Sequence, residues 1–151
     1  MTDRDRYWLR IAIALSHASP PVDFAYAVGA VIVDGVGVRL ADGYSRDTDA
    51  YVHADESALA GLAGADLSRA TIYTSMEPCS VRRSRPRTCT QLILAAGIRR
   101  VVFALREPPL LADCHGVELL RSAGVDVLEL PDLAGEVRAV NAHLLLPGQA
   151  R

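Results

Sequence analysis

The chain has 151 residues, of which 50% are hydrophobic and 23% are charged, and its formal net charge at pH 7 is -2. This composition is typical of one globular domain and excludes a disordered chain. The near-neutral charge argues against broad attraction to nucleic acid or to an anionic membrane. No apolar run reaches the ~18 residues of a transmembrane helix. Residues 1–8 carry charges without the apolar core of a signal peptide.

The first half of the chain predicts a helix followed by a β-hairpin. From Asp3 to about Ser16, apolar residues recur at helical spacing, and two prolines soon afterwards end the helix. Residues 27–40 contain two β-rich runs joined at Asp34-Gly35, which is a strong turn signal. A polar loop then leads to His53.

The second half predicts helices that alternate with strands. The continuous apolar run at 99–105 is typical of a strand buried on both faces of a parallel sheet. The whole order predicts a helix-covered mixed sheet with its chemistry at strand ends and helix starts. The predicted elements are a helix from His53 to near Gly61 or Gly64, a strand at 70–75, a helix from Cys89 to Gly97, the strand at 99–105, a loop at Pro108-Pro109, a helix at 116–124, a strand at 125–130 and a last helix from Asp132 that Pro147-Gly148 stops.

One histidine and two cysteines form a candidate metal site. His53 lies at a predicted helix start, Cys79 follows the end of a predicted strand, and Cys89 opens the next helix. Thiolates near helix N-termini have lowered pKa values and bind metal more readily. Three protein ligands leave the fourth position of a zinc ion for water, whose pKa then falls to about 7. We therefore expect Zn²⁺ at these three residues.

These motifs resemble the zinc nucleobase deaminases, whose signature is H-x-E followed by P-C-x-x-C. The nine residues between Cys79 and Cys89, and the later R-V-V-F-A-L-R-E-P-P and H-G-V-E-L-L-R-S-A-G-V-D-V segments, are similar to one branch, the pyrimidine deaminases of riboflavin biosynthesis. The resemblance extends from Val28 to Leu146. It implies a three-layer α/β/α cytidine-deaminase-like fold with a mixed five-stranded sheet, a Zn²⁺ cofactor, a small-molecule pyrimidine substrate and a homodimer or homotetramer.

Asp55 stands where this family carries its proton-transferring glutamate. A carboxylate there also complements the helix dipole, by ~0.3–1 kcal/mol. Aspartate is one methylene shorter than glutamate, and a misplacement of ~1 Å at a reacting centre can cost ~100-fold in rate. Asp55 therefore indicates a pocket shifted to meet it, a slowed or retired enzyme, or an engineered replacement of the glutamate. Glu56 is the alternative proton carrier, although consecutive helical residues point about 100° apart. Glu77 is expected to be structural.

The loop between the two cysteines is basic. A solvated loop is the simplest interpretation for any single arginine, but a cluster beside a zinc site would hold a substrate phosphate through bidentate hydrogen bonds. The substrate-binding candidates are Arg82, Arg83, Arg85 and Arg87. Ala25 stands where the bacterial riboflavin-type deaminases usually have a base-contacting Asn, so base recognition must be arranged otherwise.

The leading hypothesis is hydrolytic deamination of an aminopyrimidine nucleotide or nucleoside, of the riboflavin-biosynthesis type, in a single domain over residues 1–151. No reductase domain is expected, so another protein would supply any reduction. One alternative is a nucleic-acid base deaminase, against which the 5% of aromatic residues argues. The other is a zinc-binding regulatory module weakened by Asp55. Three cysteines cannot all pair, and a reducing cytoplasm is expected. Cys114 is expected to be a structural or exposed thiol, and His17 and His143 surface or packing residues.

Overall fold

A computed structural model describes residues 2–108 and 114–145. Within these ranges the elements follow the predicted order. They are α1 (Asp3–Ser16), β1 (Gly29–Val33), β2 (Arg39–Tyr44), α2 (Ala54–Ala60), β3 (Thr71–Met76), α3 (Cys89–Ala96), β4 (Arg100–Leu105), α4 (Gly116–Ser122), β5 (Asp126–Glu129), a 3₁₀ turn (Pro131–Leu133), α5 (Ala134–Val140) and α6 (Ala142–Leu145). Pro109, Leu146 and the predicted stop at Pro147-Gly148 lie outside the described residues.

The five strands form one mixed sheet in the order β2-β1-β3-β4-β5. β1 pairs antiparallel with both β2 and β3, whereas β3, β4 and β5 run parallel. The two parallel pairs are connected through α3 and α4, as parallel strands require a crossover. The predicted mixed five-stranded sheet is therefore confirmed.

Alternating residues of the central strands face two separate cores. Val31, Tyr73 and Val102 pack with α1, α5 and α6 on one face. Ile72 and Val101 pack with α2, α3 and α4 on the other face. Because successive strand residues point to opposite sides of a sheet, this division gives three layers, as predicted. None of the helices within 2–108 and 114–145 combines the length and apolarity that a membrane crossing requires.

The hairpin loop is longer than predicted. The strand expected from Val36 begins only at Arg39. One oxygen of the Asp34 carboxylate accepts hydrogen bonds from the backbone N–H groups of Val36 and Val38, at 3.0 and 2.9 Å. These bonds hold the residues in a turn and keep them out of the strand ladder.

The single helix predicted from Asp132 was wrong, because it is a 3₁₀ turn and two short helices separated at Asn141. Asn141 is fully buried. Its side-chain oxygen accepts the N–H of Ala27 at 2.8 Å, and its amide donates to the Ala27 carbonyl at 3.1 Å. Helical periodicity does not reveal this partner, which lies 114 residues away in the chain. The bonds tie the C-terminal helices to the segment just before β1.

Candidate active site

Three elements that are separate in sequence bring the predicted metal ligands together. His53 is the N-cap of α2, and its backbone is extended. Cys89 is the first residue of α3, after the capping residue Thr88. Cys79 follows β3 by three residues, and its carbonyl accepts the N–H of Thr90 at 3.1 Å. Two helix starts and one strand exit therefore converge, as the sequence predicts.

The donor atoms fit one tetrahedral zinc ion. The Nδ1 atom of His53 lies 3.5 Å from the sulfur of Cys79 and 3.4 Å from the sulfur of Cys89, and the three donors lie within 4.8 Å of one another. Zn–N and Zn–S bonds of about 2.0 and 2.3 Å at a tetrahedral angle separate nitrogen from sulfur by about 3.5 Å. Both measured distances agree with that value. One imidazole and two thiolates are also the ligand types that zinc prefers.

The surroundings of the two thiols favour a thiolate at Cys79. The Cys89 thiol, the His53 imidazole and the backbone N–H of Cys89, which donates to the Cys79 sulfur at 3.2 Å, together hold the pKa of Cys79 well below its usual range. The negative charge this leaves on Cys79, together with burial, raises the pKa of Cys89. A cation that binds both sulfurs would remove this conflict, because metal ligation deprotonates a thiol outright.

Asp55 lies beside this donor group in the first turn of α2 and is only 3% exposed. Burial raises the pKa of its carboxyl group to about 6. Its Oδ1 atom is buried and has no hydrogen-bond partner among the described residues. Buried oxygens are rarely left without a partner in folded proteins. Asp55 therefore presents an uncommitted oxygen at the wall of the same cavity.

Glu56, the alternative proton carrier, is committed to other contacts. Its Oε1 atom accepts the backbone N–H of His53 at 3.2 Å and the guanidinium of Arg82 at 2.7 Å. Its Oε2 atom forms an ion pair with Arg85 at 3.4 Å. The residue is not among those that line the cavity beside the donors. The structure therefore favours Asp55 as the available carboxylate.

The four arginines of the loop divide into two pairs. Arg82 is bound to Glu56, and Arg85 is paired with Glu56 and Asp49. The side chains of Arg83 and Arg87 are exposed and form no hydrogen bond or ion pair with described residues. Of these two, Arg83 lines the cavity. The loop therefore brings one uncommitted guanidinium to the site.

Glu77 has the structural role that the sequence indicates. Its carboxylate is buried and accepts the backbone N–H groups of Glu107 and Val117, both at 3.1 Å. These bonds join the end of β3 to the end of β4 and the start of α4. At the same corner Gly116 has no room for a side chain, since a Cβ atom there would lie 2.1 Å from the carbonyl oxygen of Pro78. This packing fixes the backbone on which Cys79 is carried.

The cavity in front of the donor group has a volume of about 630 Å³. Its wall includes residues to which the sequence analysis assigned no role. Burial raises the pKa of Glu107 to about 7, and the Cys114 thiol donates a hydrogen bond to the Glu107 carboxylate. The Arg46 guanidinium donates to the carbonyl of Tyr26 at 3.3 Å. The only sequence signal was the E-P-P segment that contains Glu107, because the other contacts join residues distant in the chain.

The remaining candidates lie outside the donor group. Cys114 is partly buried and is not one of the clustered donors. His17 is exposed, and a ring nitrogen of His143 lies 3.0 Å from the carbonyl of Val22. Ala25 lines the cavity, at the position where the sequence analysis noted a missing Asn. The structure therefore keeps His53, Cys79, Cys89 and Asp55 as one constellation.

Comparisons with known proteins agree with this geometry. Residues 2–105 match the family model of the cytidine and deoxycytidylate deaminase zinc-binding region. The chain is 37% identical over 131 residues to diaminohydroxyphosphoribosylamino-pyrimidine deaminase of Schizosaccharomyces pombe, covering 84% of this chain and 32% of that protein. The chain thus spans about a third of the length of the curated relatives it matches.

Two solved structures show the same fold. The Thermotoga maritima diaminohydroxyphosphoribosylaminopyrimidine deaminase/5-amino-6-(5-phosphoribosylamino)uracil reductase superposes with a TM-score of 0.74 at 30% identity, covering 91% of this chain and 39% of that one. The Aspergillus oryzae Rib2 deaminase superposes with a TM-score of 0.81 at 23% identity, covering 91% and 90%. Together with the three zinc-compatible donors, these matches show that the chain belongs to the cytidine and deoxycytidylate deaminase zinc-binding family.

Proposed function

We propose that this protein catalyses the hydrolytic deamination of an aminopyrimidine nucleotide or nucleoside, of the type used in riboflavin biosynthesis. The observation that carries the proposal is the meeting of His53, Cys79, Cys89 and the Asp55 carboxylate at one cavity. The relatives named as riboflavin-pathway deaminases support the substrate class.

In this proposal His53, Cys79 and Cys89 hold the zinc ion. A zinc ion with three protein ligands supplies a Lewis acid that makes water nucleophilic at neutral pH. The helix start at Cys89 stabilises thiolate, since its backbone N–H donates to the Cys79 sulfur. The N-cap position places His53 at the N-terminus of α2. The protein therefore supplies three ligands whose positions are fixed by two helix starts and a strand exit.

The role proposed for Asp55 is proton transfer. A general base must come within about 2.6–3.2 Å of the proton that it takes, directly or through one water. The Oδ1 atom of Asp55 is buried at this site and makes no hydrogen bond to a described residue. It would pass one proton from the attacking water to the ring nitrogen, and then pass the proton of the new hydroxyl group to the amine as the C–N bond breaks and the carbonyl forms. Ammonia is the product.

An assay of ammonia release tests the proposed function. The zinc-loaded protein is incubated with diaminohydroxyphosphoribosylaminopyrimidine, its dephosphorylated form, dCMP, cytidine and a single-stranded cytosine-containing oligonucleotide. We expect turnover of the diaminopyrimidine and none of the oligonucleotide. Turnover of the oligonucleotide that falls steeply with salt would support the nucleic-acid alternative. Full zinc occupancy without ammonia from any compound would support the regulatory module.

Arg83 is the arginine that we propose for contact with the substrate phosphate. Replacing it with alanine should raise KM for the phosphorylated diaminopyrimidine by about tenfold, because a hydrogen bond to a charged group contributes about 1.5–3 kcal/mol. The dephosphorylated compound should change little, since it lacks the charge that the guanidinium recognises. Initial rates on the two compounds measure the difference.

A matched control for Arg83→Ala is Arg99→Ala, which removes an exposed arginine just before β4, outside the cavity wall. Arg99→Ala should leave KM for both compounds unchanged. Equal increases on both compounds in Arg83→Ala would contradict a phosphate contact and indicate an effect on the loop itself.

We also propose that the protein acts as a homodimer or homotetramer in the cytoplasm. The hairpin supports self-association, since Val36 and Val38 are 80% and 54% exposed. Packing of these two side chains against a second copy of the chain would remove their apolar surface from water. Light scattering of the purified protein measures the mass directly.

A further inference from the structure

Arg82 differs from the other residues of the basic loop in being buried. Its side chain is 2% exposed, while Val81, Arg83 and Ser84 around it are exposed. A guanidinium inside a protein is stable only when its N–H groups find acceptors and its charge is paired. The contacts of Arg82 meet both conditions, and they connect two parts of the candidate zinc site.

On the loop side, Arg82 bonds to residues that follow it on the way to Cys89. Its Nε atom donates to the hydroxyl of Ser84 at 3.2 Å, and one terminal nitrogen donates to the carbonyl of Arg87 at 3.4 Å. These bonds span residues 82–87, within the nine residues that separate Cys79 from Cys89. They hold the loop in a folded form between the two sulfur ligands.

On the histidine side, the other terminal nitrogen of Arg82 donates to the carbonyl of Tyr51 at 2.9 Å and to the Glu56 carboxylate at 2.7 Å. The same Glu56 oxygen accepts the backbone N–H of His53 at 3.2 Å. Arg85 adds a second ion pair to Glu56 at 3.4 Å. One carboxylate therefore contacts both the histidine backbone and the arginine that folds the cysteine loop.

We propose that Arg82 is a positioning residue that joins the histidine half of the zinc site to the cysteine half and thereby sets how tightly zinc is held. The proposal rests on the ligand assignment made above, and it gives Arg82 a role separate from phosphate binding. With the Arg82–Glu56 pair in place, His53 and the two thiolates are held in register before zinc arrives. Without it, metal binding must also order the loop, and that ordering cost weakens affinity.

The planar guanidinium is essential to this role. Its N–H groups point in fixed directions, so that one side chain reaches Ser84, Arg87, Tyr51 and Glu56 together. A lysine at this position would keep the charge but would carry a single ammonium group. Arg82→Lys should therefore pair with Glu56 and release the loop contacts.

Zinc affinity, measured by competition with a chromophoric chelator, tests the proposal. Arg82→Ala should bind zinc about 10–100-fold more weakly, as is typical when a residue that orients metal ligands is lost. Glu56→Gln should weaken binding in the same direction. The loss of affinity in the double variant should be smaller than the product of the two single losses, because both changes remove the shared Arg82–Glu56 pair while each also removes contacts of its own. Arg82→Lys should fall between the wild type and Arg82→Ala.

Arg87→Ala is the matched control, because it removes a guanidinium from the same loop and leaves the carbonyl that Arg82 contacts. Its zinc affinity should match that of the wild type. Visible absorption of the cobalt-substituted proteins provides a second readout, and Arg82→Ala should shift the bands that report ligand geometry. If Arg82→Ala folds poorly, the cobalt spectra of Arg82→Lys and Arg87→Ala are compared instead. The bands of Arg82→Lys should then be shifted and those of Arg87→Ala should not.

Two results would overturn the proposal. One is an Arg82→Ala protein that unfolds more easily without zinc but binds zinc as tightly as the wild type, which would make Arg82 a stabilising residue only. The other is a double variant in which the two losses multiply, which would show that Arg82 and Glu56 act independently. Neither result would affect the ligand assignment, which the loss of zinc from cysteine variants tests separately.

Discussion

Asp55→Glu is expected to raise kcat for the aminopyrimidine by about 100-fold, with zinc content unchanged. Asp55 is buried in the first turn of α2, and its Oδ1 atom has no hydrogen-bond partner among the described residues. The chain belongs to a family whose proton carrier is a glutamate, and aspartate is one methylene shorter. One added methylene would carry the carboxylate toward the attacking water and the ring nitrogen.

The sign of the change in kcat distinguishes an unchanged family pocket from a pocket that has adapted to aspartate. In an unchanged family pocket, glutamate restores the reach of the proton carrier and raises kcat. In a pocket that has adapted to aspartate, the longer side chain enters space used by water or substrate, and kcat falls. We expect the first outcome, because zinc deaminases use a glutamate as the proton carrier and Asp55 is one methylene too short for that reach.

Asp55→Asn is the matched control for Asp55→Glu. It keeps the size of the side chain and removes the group that carries a proton, so kcat should fall by about 10²–10⁴-fold. Metal analysis should find the same zinc content in all three proteins, because the carboxylate is not a ligand in this family. A kcat that Asp55→Glu leaves within a factor of about two would contradict the role given to Asp55.

Cys89→Ala is expected to abolish both zinc binding and deamination. It removes one of three clustered donors, and the two that remain cannot hold zinc in the open geometry of a catalytic site. The wild type should also lose stability when zinc is removed, by about 4 kcal/mol if free zinc had been 1,000 times its Kd. A strong chelator should therefore lower the Tm of the wild type and leave that of Cys89→Ala unchanged.

Cys114→Ala serves as the control for the loss of a thiol. Cys114 donates a hydrogen bond to Glu107 and lies outside the donor group. This variant should keep one zinc per chain and the sensitivity of Tm to the chelator. Full zinc occupancy in Cys89→Ala, or loss of zinc in Cys114→Ala, would contradict the ligand assignment.

The arginines of the basic loop differ in whether they are paired with an acidic residue, and this difference affects how their alanine variants are interpreted. Arg82 and Arg85 are paired with acidic residues, whereas Arg83 faces the cavity without a partner among the described residues. An effect of Arg82→Ala on KM would therefore not by itself indicate a phosphate contact. The comparison that decides is between zinc affinity, which Arg82 should control, and phosphate dependence, which Arg83 should control.

The sequence by itself determined the fold class, the strand order in the chain and the candidate zinc ligands. These features depend on local signals, such as the apolar periodicity of α1 and the continuous apolar run of β4. His53 and Cys89 could be identified because each opens a helix, where a donor is held at a defined position. Such signals lie within a few residues of one another and do not require knowledge of tertiary contacts.

Only the tertiary structure decided which charged residues are committed to other groups. Arg82 and Arg83 are adjacent in an irregular loop that lines the cavity, so no periodicity indicates that the first is paired with Glu56 and the second has no partner among the described residues. Glu56 is paired with Arg82, 26 residues further along the chain, and is therefore not free to transfer a proton. The helix break at Asn141 depends on a hydrogen bond with the backbone of Ala27, 114 residues away, which no local sequence pattern indicates. Contacts of this kind exist only after the sheet and its two helical layers have assembled.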